Sequence, residues 1–419
     1  MIYIKNDIPI ISFFKLSKYL FEISSRYYKI NTNLTLIGIT GTNGKSTVTN
    51  IISQWGHLLN YKIGIMSTLG NGIYNNLKPS KNTTESSINI QKFLHEMSIN
   101  NIRTIAMEVS SHGIVQNRIS KLRFSIAILT NVTSDHLDYH KTVKSYIQAK
   151  LNFFTQNKIK KFIINIDDCT GNNLVKMLNK KKVIAVSINK NFNCLSFKKW
   201  IHSYHIIHNT HINYIYFKSS WGQGVLKSKL IGHFNIINLL LALAALLELG
   251  YPFDRLVNTC KKITNVHGRM QIFKTPNKPF IVIDYAHNED AFKNALQSIR
   301  KICRNKIWCV FGCGGDRDKS KRSLMGRMAE NIADTIILTN DNPRNENPIE
   351  IIRDILKGCQ HKKNIHIILN RKKAIQFSIT HANVDDYIVI LGKGHEEYQI
   401  IKNKIYYFSD HVTIKQLLE

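Results

Sequence analysis

The strongest constraint on the fold of this chain is an alternation that begins at residue 34, where short apolar runs are each followed by a helical pattern. The runs at 34–39, 104–107, 125–129, 162–166 and 183–186 read as fully buried strands. Long intervening stretches leave room for helical crossovers, so the expected sheet is mostly parallel and covered on both faces. The pattern changes at 190–230: residues 211–217 alternate and 219–224 are turn-like, which predicts an antiparallel insertion on the sheet. Residues 235–250 predict an apolar helix with Gly250 at its C-cap and Pro252 just beyond. A boundary is expected near 264–268. A second alternating unit starts at 280, with strands at 280–283, 307–311, 335–338, 366–369 and 387–391. Ahead of residue 34 the pattern predicts one amphipathic helix at about 12–28, too little for a domain. The fold class is therefore α/β: a central domain with a phosphate loop and a mostly parallel sheet (34–265), then a Rossmann-like C-terminal α/β domain (266–419), preceded by a short segment, 1–33.

Composition excludes several classes. A length of 419 residues fits two or three domains, and 43% hydrophobic with 21% charged residues is ordinary globular usage, not that of a disordered chain. The net charge of +30 suits either a nucleic-acid binder or a background rich in Lys, Asn, Ile and Tyr. The basic residues are scattered, and no aromatic-interleaved basic motif occurs, so no nucleic-acid partner is expected; small anionic substrates remain compatible. Seven cysteines form no framework, which points to a reduced, cytoplasmic protein. The apolar stretch 239–249 contains Glu248 and is far short of the ~20 residues that span a bilayer, so no membrane insertion is expected. The N-terminus carries Lys5 and Asp7 and has no small-residue cleavage site, which argues against a signal peptide.

The first strand runs into Gly41, Thr42, Asn43, Gly44, Lys45, Ser46 and Thr47, with a helix expected from about 48. A glycine-rich turn at a helix start offers backbone N–H groups and a positive dipole to phosphates. In such a loop Lys45 reaches the β- and γ-phosphates and Ser46 holds Mg²⁺. The general phosphate-loop pattern has glycine at the place of Ile39; the strand–turn–helix context carries the assignment instead. Glu108, at the end of the run 104–107, falls beside that loop, where a carboxylate touches the metal. Asp135-His-Leu-Asp-Tyr-His140 follows the run 125–129 and makes His136 a candidate second metal ligand. Four strands of the second unit end in polar or glycine-rich loops: Asp284-Tyr-Ala-His287, Gly312-Cys-Gly-Gly-Asp-Arg-Asp318, Asp341-Asn-Pro-Arg344 and Gly392-Lys-Gly-His-Glu396. Open α/β sheets bind ligands at that edge. Cys309 and Cys313 have no matching second pair and read as packing rather than zinc ligands.

These motifs, together with Asn82-Thr-Thr84 and Glu108-Val-Ser-Ser-His112, resemble the Mur ligases from about residue 34 to the C-terminus. The resemblance implies an ATP-dependent amide ligase of peptidoglycan synthesis. ATP phosphorylates the free side-chain carboxylate of D-Glu in UDP-MurNAc-L-Ala-D-Glu, and the amine of an incoming amino acid displaces the phosphate. It implies that the loop 41–47, Asn235, Asn238, Arg269 and Asp284 contact the nucleotide. Asn82, Thr83, Thr84, Ser110, Gln116 and Arg118 match positions that hold the UDP-muramoyl-dipeptide. Lys150 matches the family's carbamylated lysine, a CO₂-derived carbamate that joins Ser46, Glu108 and His136 around Mg²⁺; Lys45, Glu108, His136 and Lys150 are the implied catalytic set. Arg317, Asp341, Asn342, Pro343, Arg344, Gly392 and Glu396 match the amino-acid pocket. Asp-Asn-Pro-Arg is the family's mark for meso-diaminopimelate over lysine, because Arg344 can pair bidentately with the distal carboxylate and Glu396 can receive the distal ammonium. A monomer is implied.

The sequence also departs from the family. Residues 1–33 correspond to the last helix of an N-terminal UDP-binding domain whose remainder this sequence lacks. Gln271 replaces the usual Glu after Gly-Arg-Met, and Asn265, Asn288, Glu289 and Ser323 differ from common choices, although none removes a proposed catalytic group. Three other readings compete. A folylpolyglutamate synthase-like ligase shares the phosphate loop, but 341–344 and 135–140 argue against it. A phosphate-loop ATPase acting on nucleic acid is disfavoured by the scattered lysines. An inactive truncated remnant acting as a binding protein is disfavoured by the intact Lys45, Glu108, His136 and Lys150.

Overall fold

In the strand Thr35–Thr40, Ile37 and Ile39 face one side and Leu36 the other, and all three are buried. Two-sided burial is what a central parallel strand requires. The computed structural model describes residues 2–5, 8–11, 19–29, 33–208, 212–361, 363–402 and 404–419. It places this strand in an eleven-stranded sheet ordered Gly222–Ser228, Asn213–Ser219, Lys199–Ile207, Val183–Ser187, Lys158–Asn165, Arg123–Leu129, Thr35–Thr40, Thr104–Glu108, Ile63–Ser67, Gly70–Ile73, Asn76–Lys78. The sheet is parallel from Lys199–Ile207 through Ile63–Ser67 and antiparallel at both edges. One face packs Val48, Ile51, Ile52 and Trp55 of the helix Lys45–Leu58, and residues 239–247 of His233–Glu248, on Ile37, Ile39, Ile126 and Ile128. The other packs Ile90, Phe93 and Leu94 of Ser87–Ile99, with Tyr146 and Phe153 of Val143–Gln156, on Leu36, Ile105, Ala127 and Leu129.

The expected insertion at 190–230 is present as Lys199–Ile207 and an antiparallel hairpin; position 211 lies outside the described residues. Gly250 has φ 86° just past the helix His233–Glu248, in the left-handed conformation of a helix stop. Two expectations need correction. The helix after the phosphate loop starts at Lys45, not 48, because Gly44 at φ 86° makes the turn that lets Lys45 enter the helix. The helix predicted at 12–28 is seen over Leu20–Tyr28, while 12–18 lie outside the described residues; a short antiparallel hairpin, Ile2–Lys5 with Ile8–Ile11, was not anticipated.

The second unit is a six-stranded sheet ordered Gln271–Phe273, Phe280–Asp284, Tyr387–Leu391, Ile307–Phe311, Thr335–Leu338, Ile365–Ile367, parallel except for the first strand. Cores lie on both of its faces. The hairpin Tyr398–Ile401 with Lys404–Tyr407 follows the last long strand. Among the described residues no helix is long and apolar enough to cross a membrane.

Candidate active site

The phosphate loop leaves the middle of the large sheet, flanked by the ends of Thr104–Glu108 and Arg123–Leu129. That placement brings three separate segments to one point. The loop is pinned from the 130–133 side: Thr42 N donates to Asn131 O (2.8 Å), Asn43 N to Asn131 Oδ1 (3.0 Å) and Thr130 Oγ1 to Asn43 O (2.7 Å). Gly41 has φ 148°, and a Cβ there would meet Thr130 Oγ1 at 1.9 Å, so only glycine fits. A Cβ at Gly44 would meet Asn238 Oδ1 at 2.5 Å, so the helix His233–Glu248 buttresses the loop; Asn238 in turn donates to Asn235 Oδ1 (3.2 Å). Lys45 Nζ donates to Gly41 O (2.9 Å) and Thr42 O (2.8 Å). Burial lowers its pKa, against the pull of Glu108 and Asp135. Ser46 and Thr47 are buried behind it.

Glu108 is 1% exposed; Thr68 N donates to its Oε1 (2.9 Å) and Thr68 Oγ1 to its Oε2 (3.3 Å). Thr84 Oγ1 donates to Glu108 O (2.9 Å) and accepts from Ser110 N (2.8 Å), which locks the 82–84 segment to the strand end. Thr68 Oγ1 also lies 3.1 Å from Thr83 Oγ1, from which it can accept. Lys150 is 1% exposed, donates from Nζ to Gly41 O (2.7 Å), and lies 4.6 Å from the centroid of Tyr146. Burial, reinforced by the Lys45 charge, pushes its pKa well below the usual lysine range. His136, at φ 53°, sits with its ring 5.0 Å from His112; burial, opposed by Asp135, pushes its pKa down to about 4. Burial raises Asp135, but the bond and charge of His287, with His136 and Lys321, hold its carboxyl well below the usual range.

A cavity of about 420 Å³ gathers Lys45, Asn82, Thr83, Thr84, Ser110, Arg118, His136 and Lys150 with Tyr285 and Arg317 of the second unit. A second, of about 240 Å³, gathers Asp135, His136, Arg317, Asp341, Asn342, Arg344, Gly392 and Glu396. The two share His136, Tyr285 and Arg317 and so adjoin. Asp341 lies over Gly392, where a Cβ would meet its Oδ2 at 2.5 Å. Arg344, at φ 50°, is pinned to the hairpin by Arg344 N donating to Ile400 O (3.0 Å), and its Nη1 donates to Gly315 O (2.8 Å). Arg317 Nη1 donates to Asp138 Oδ2 (3.0 Å) across the seam between the units.

Gly41, Thr42, Asn43, Gly44, Ser46, Thr47, Glu108, Gln116, Asn235, Asn238, Arg269, Asp284 and Pro343 line neither cavity. Gln116 is exposed and orients Arg118 (Arg118 Nε to Gln116 Oε1, 2.9 Å). Arg269 stacks on Tyr285 (4.4 Å) and reaches Ser46 Oγ at 3.5 Å. Asp284 accepts from Met270 N (2.7 Å); burial raises its pKa against the Arg269 charge. Sequence reasoning missed Thr68, which holds Glu108, and Tyr146, whose hydroxyl lies 3.0 Å from Thr42 Oγ1. It also missed Tyr285 as the ring shared by both cavities. Thr68 and Tyr146 lie in no motif, and only the fold brings them to the site; Tyr285 lies in the loop 284–287 already singled out, where the flanking Asp284 and His287 carried the signal.

Comparison with known proteins places this arrangement. The model of the Mur ligase middle domain matches residues 39–246, and that of the Mur ligase, glutamate ligase domain matches residues 268–394. A UDP-N-acetylmuramoyl-L-alanyl-D-glutamate–2,6-diaminopimelate ligase from Buchnera aphidicola subsp. Baizongia pistaciae is 57% identical over 415 residues, 99% of this chain and 82% of the relative. A solved structure of a ligase with that name has a TM-score of 0.67 at 34% identity, over 96% of this chain and 82% of its own. The folylpolyglutamate synthase of Mycobacterium tuberculosis, solved with ADP and AMPPCP, has a TM-score of 0.69 at 16% identity over 90% of this chain and 91% of its own, a likeness of fold alone. With two family models spanning most of the sequence and a relative more than half identical along nearly all of it, the chain belongs to the Mur ligase family.

Proposed function

We propose that this chain joins meso-diaminopimelate to the side-chain carboxylate of D-Glu in UDP-MurNAc-L-Ala-D-Glu, using ATP and passing through an acyl phosphate. The adjoining of the two cavities carries the reading. A carboxyl activated beside Lys45 and Lys150 lies next to a pocket that ends in Arg344 and Glu396, through the shared His136, Tyr285 and Arg317. A carboxylate is a poor electrophile until one oxygen leaves as phosphate, and that transfer needs fixed cations and little competing water. Lys45 supplies the fixed cation. Asn82, Thr83, Thr84, Ser110, Gln116 and Arg118 hold the muramoyl-dipeptide. Asn235, Asn238, Arg269 and Asp284 buttress the nucleotide side.

The Ser46 hydroxyl and the Glu108 carboxylate are oxygen donors of the kind Mg²⁺ takes alongside several waters, and His136 would add a nitrogen; among the described residues no three His, Cys, Asp or Glu side chains gather into a metal site by themselves. Ser46, Glu108 and His136 would hold it together with Lys150 as a carbamate; the ion neutralises charge on the transferring phosphoryl group. Burial supports the modification, because a lysine driven toward its neutral amine is the form that attacks CO₂, giving a carbamate and releasing a proton. The expected setting is the cytoplasm, with the chain a monomer that binds no nucleic acid. Its three parts are 1–33, 34–265 and 266–419.

The test is ATP-dependent coupling of labelled meso-diaminopimelate to UDP-MurNAc-L-Ala-D-Glu, with ADP release. The kcat/KM for diaminopimelate should exceed that for lysine by roughly 30- to several-thousand-fold, since lysine leaves the Arg344 guanidinium unpaired. Equal use of lysine, or ADP release without amide product, would overturn the reading.

A further inference from the structure

Lys393 is one of the largest fully buried side chains, at 0% exposure, yet it lines neither cavity. An ammonium in such a place must be paired and hydrogen-bonded, or its burial is very costly. Its Nζ donates to Glu396 Oε2 (3.0 Å) and Asn342 Oδ1 (3.3 Å) and lies 5.5 Å from the ring centroid of Tyr398. Asn342 is itself 3% exposed. Its Oδ1 also accepts from Ile400 N (3.0 Å), so two donors fix the amide orientation and its Nδ2 must face Glu396 Oε2 (2.9 Å). Oε2 is thereby taken by two donors from behind. Among the described residues Glu396 Oε1 has only Tyr285 Oη, at 3.4 Å, and the carboxylate borders the cavity that Arg344 also lines.

We propose that Lys393 is the positioning residue of the amino-acid pocket: with Asn342 it clamps one oxygen of Glu396 and presents the other to the ammonium of the incoming amino acid. The inference rests on the function proposed above and divides its pocket. Glu396 and Arg344 touch the amino acid, whereas Asn342 and Lys393 act through Glu396. Two fixed points, the Oε1 of Glu396 and the guanidinium of Arg344, then gauge the distance between the amine and carboxylate at the far end of the ligand. Holding such points still demands a supporting layer whose own bonds are satisfied.

The test is a double-mutant cycle on the full chain with Lys393→Met, Glu396→Gln and the pair, measured as kcat and as KM for each substrate. Lys393→Met should raise KM for diaminopimelate about 10- to 100-fold and leave KM for ATP within about two-fold. In the Glu396→Gln background the same substitution should change KM for diaminopimelate little. Lys393→Arg, which keeps the charge, should recover part of the loss. A merely structural lysine would lower stability and affect all substrates alike. Should Lys393→Met not fold, Asn342→Leu removes the other half of the clamp and should raise the same KM. An unchanged KM for diaminopimelate in Lys393→Met or Asn342→Leu, or additive effects in the cycle, would overturn the clamp while wild-type coupling stands. A wild type that does not couple diaminopimelate overturns the clamp and the proposed function together.

Discussion

At the scale of single residues, the site separates groups that act from groups that hold. Lys45 bonds only to carbonyls of its own loop, and that loop is also pinned by Asn131 and Thr130. Lys45→Ala should therefore cost about 1 kcal/mol of stability or less. Turnover should fall by about 10²–10³-fold or more, because the fixed cation at the transferring phosphate is gone. Thermal melting beside steady-state ADP release checks both halves, and near-normal turnover would remove the loop from the mechanism. Lys150 makes a different prediction. As an ammonium it would repel a metal, and as a carbamate it attracts one. Lys150→Ala should lose most activity and recover part of it when a short carboxylic acid such as formate is added, an outcome that an ammonium role cannot produce. Arg344→Ala should lose most diaminopimelate activity and narrow the preference over lysine; an unchanged ratio of the two kcat/KM values would show that the distal carboxylate binds elsewhere.

At the scale of elements, the pocket loops are held by buried ion pairs. Arg322, at 0% exposure in the helix Ser320–Ile332, grips Glu346 with both guanidinium ends (2.9 Å each), and also Asp354 (3.1 Å) and Gly314 O (3.2 Å). It thus ties the 312–318 loop to the segment after Arg344. The Arg322 bonds, opposed by burial, take the Glu346 pKa from an ordinary 4.5 down to about 2. A carboxyl depressed in the folded state contributes stability that is fully present above its unfolded value and is lost as pH falls through the folded one. The contribution should therefore fade between about pH 4.5 and 2. Glu346→Gln should lower neutral-pH stability by about 1.5–3 kcal/mol and flatten that acid slope. Urea denaturation at several pH values decides it, and a wild-type slope in the variant would show that Glu346 is not the group responsible. The same elements show what a sequence discloses. Central strands such as Thr35–Thr40 and Arg123–Leu129 are legible because two-sided burial leaves them mostly apolar, as in the stretches 36–39 and 126–129. Gly70–Ile73 is not, since four residues with two glycines and an asparagine carry no such stretch; Ile63–Ser67 is as buried as the central strands, and sequence reasoning missed it. Loop motifs at strand ends are legible because phosphate and carboxylate chemistry restricts residue types at fixed spacing. Thr68 stays hidden in the sequence, and Tyr285 and Lys393, although inside the loops 284–287 and 392–396, give no sign there of their roles, which arise from contacts with Arg269 and Glu396 made only after folding.

At the scale of the whole molecule, the two units are joined through the catalytic loop itself. Asn43 of the phosphate loop donates to Asp290 Oδ2 (3.1 Å), and Asn288 Nδ2 donates to Asn43 Oδ1 (3.1 Å) and to Asp135 Oδ2 (3.0 Å). Asn288 is 3% exposed. Its Oδ1 also caps the helix Glu289–Arg300 through Ala291 N (3.0 Å). Serine caps a helix about as well as asparagine but is too short to reach Asn43 and Asp135. Asn288→Ser should therefore keep the helix and loosen the seam. Losing two such bonds, at about 0.5–1.5 kcal/mol each, should shift the balance between joined and parted arrangements by roughly 5- to 150-fold. Small-angle scattering of the nucleotide-free chain should then show a larger radius of gyration for the variant, with helix content by circular dichroism unchanged. Other seam contacts stay in the variant, among them Asn43 to Asp290, Arg269 to Ser46, His287 to Asp135 and Arg317 to Asp138, and they set the competing outcome: if these hold the units together, the radius will not change, and a further substitution such as Asp138→Ala on top of Asn288→Ser will be needed to part them.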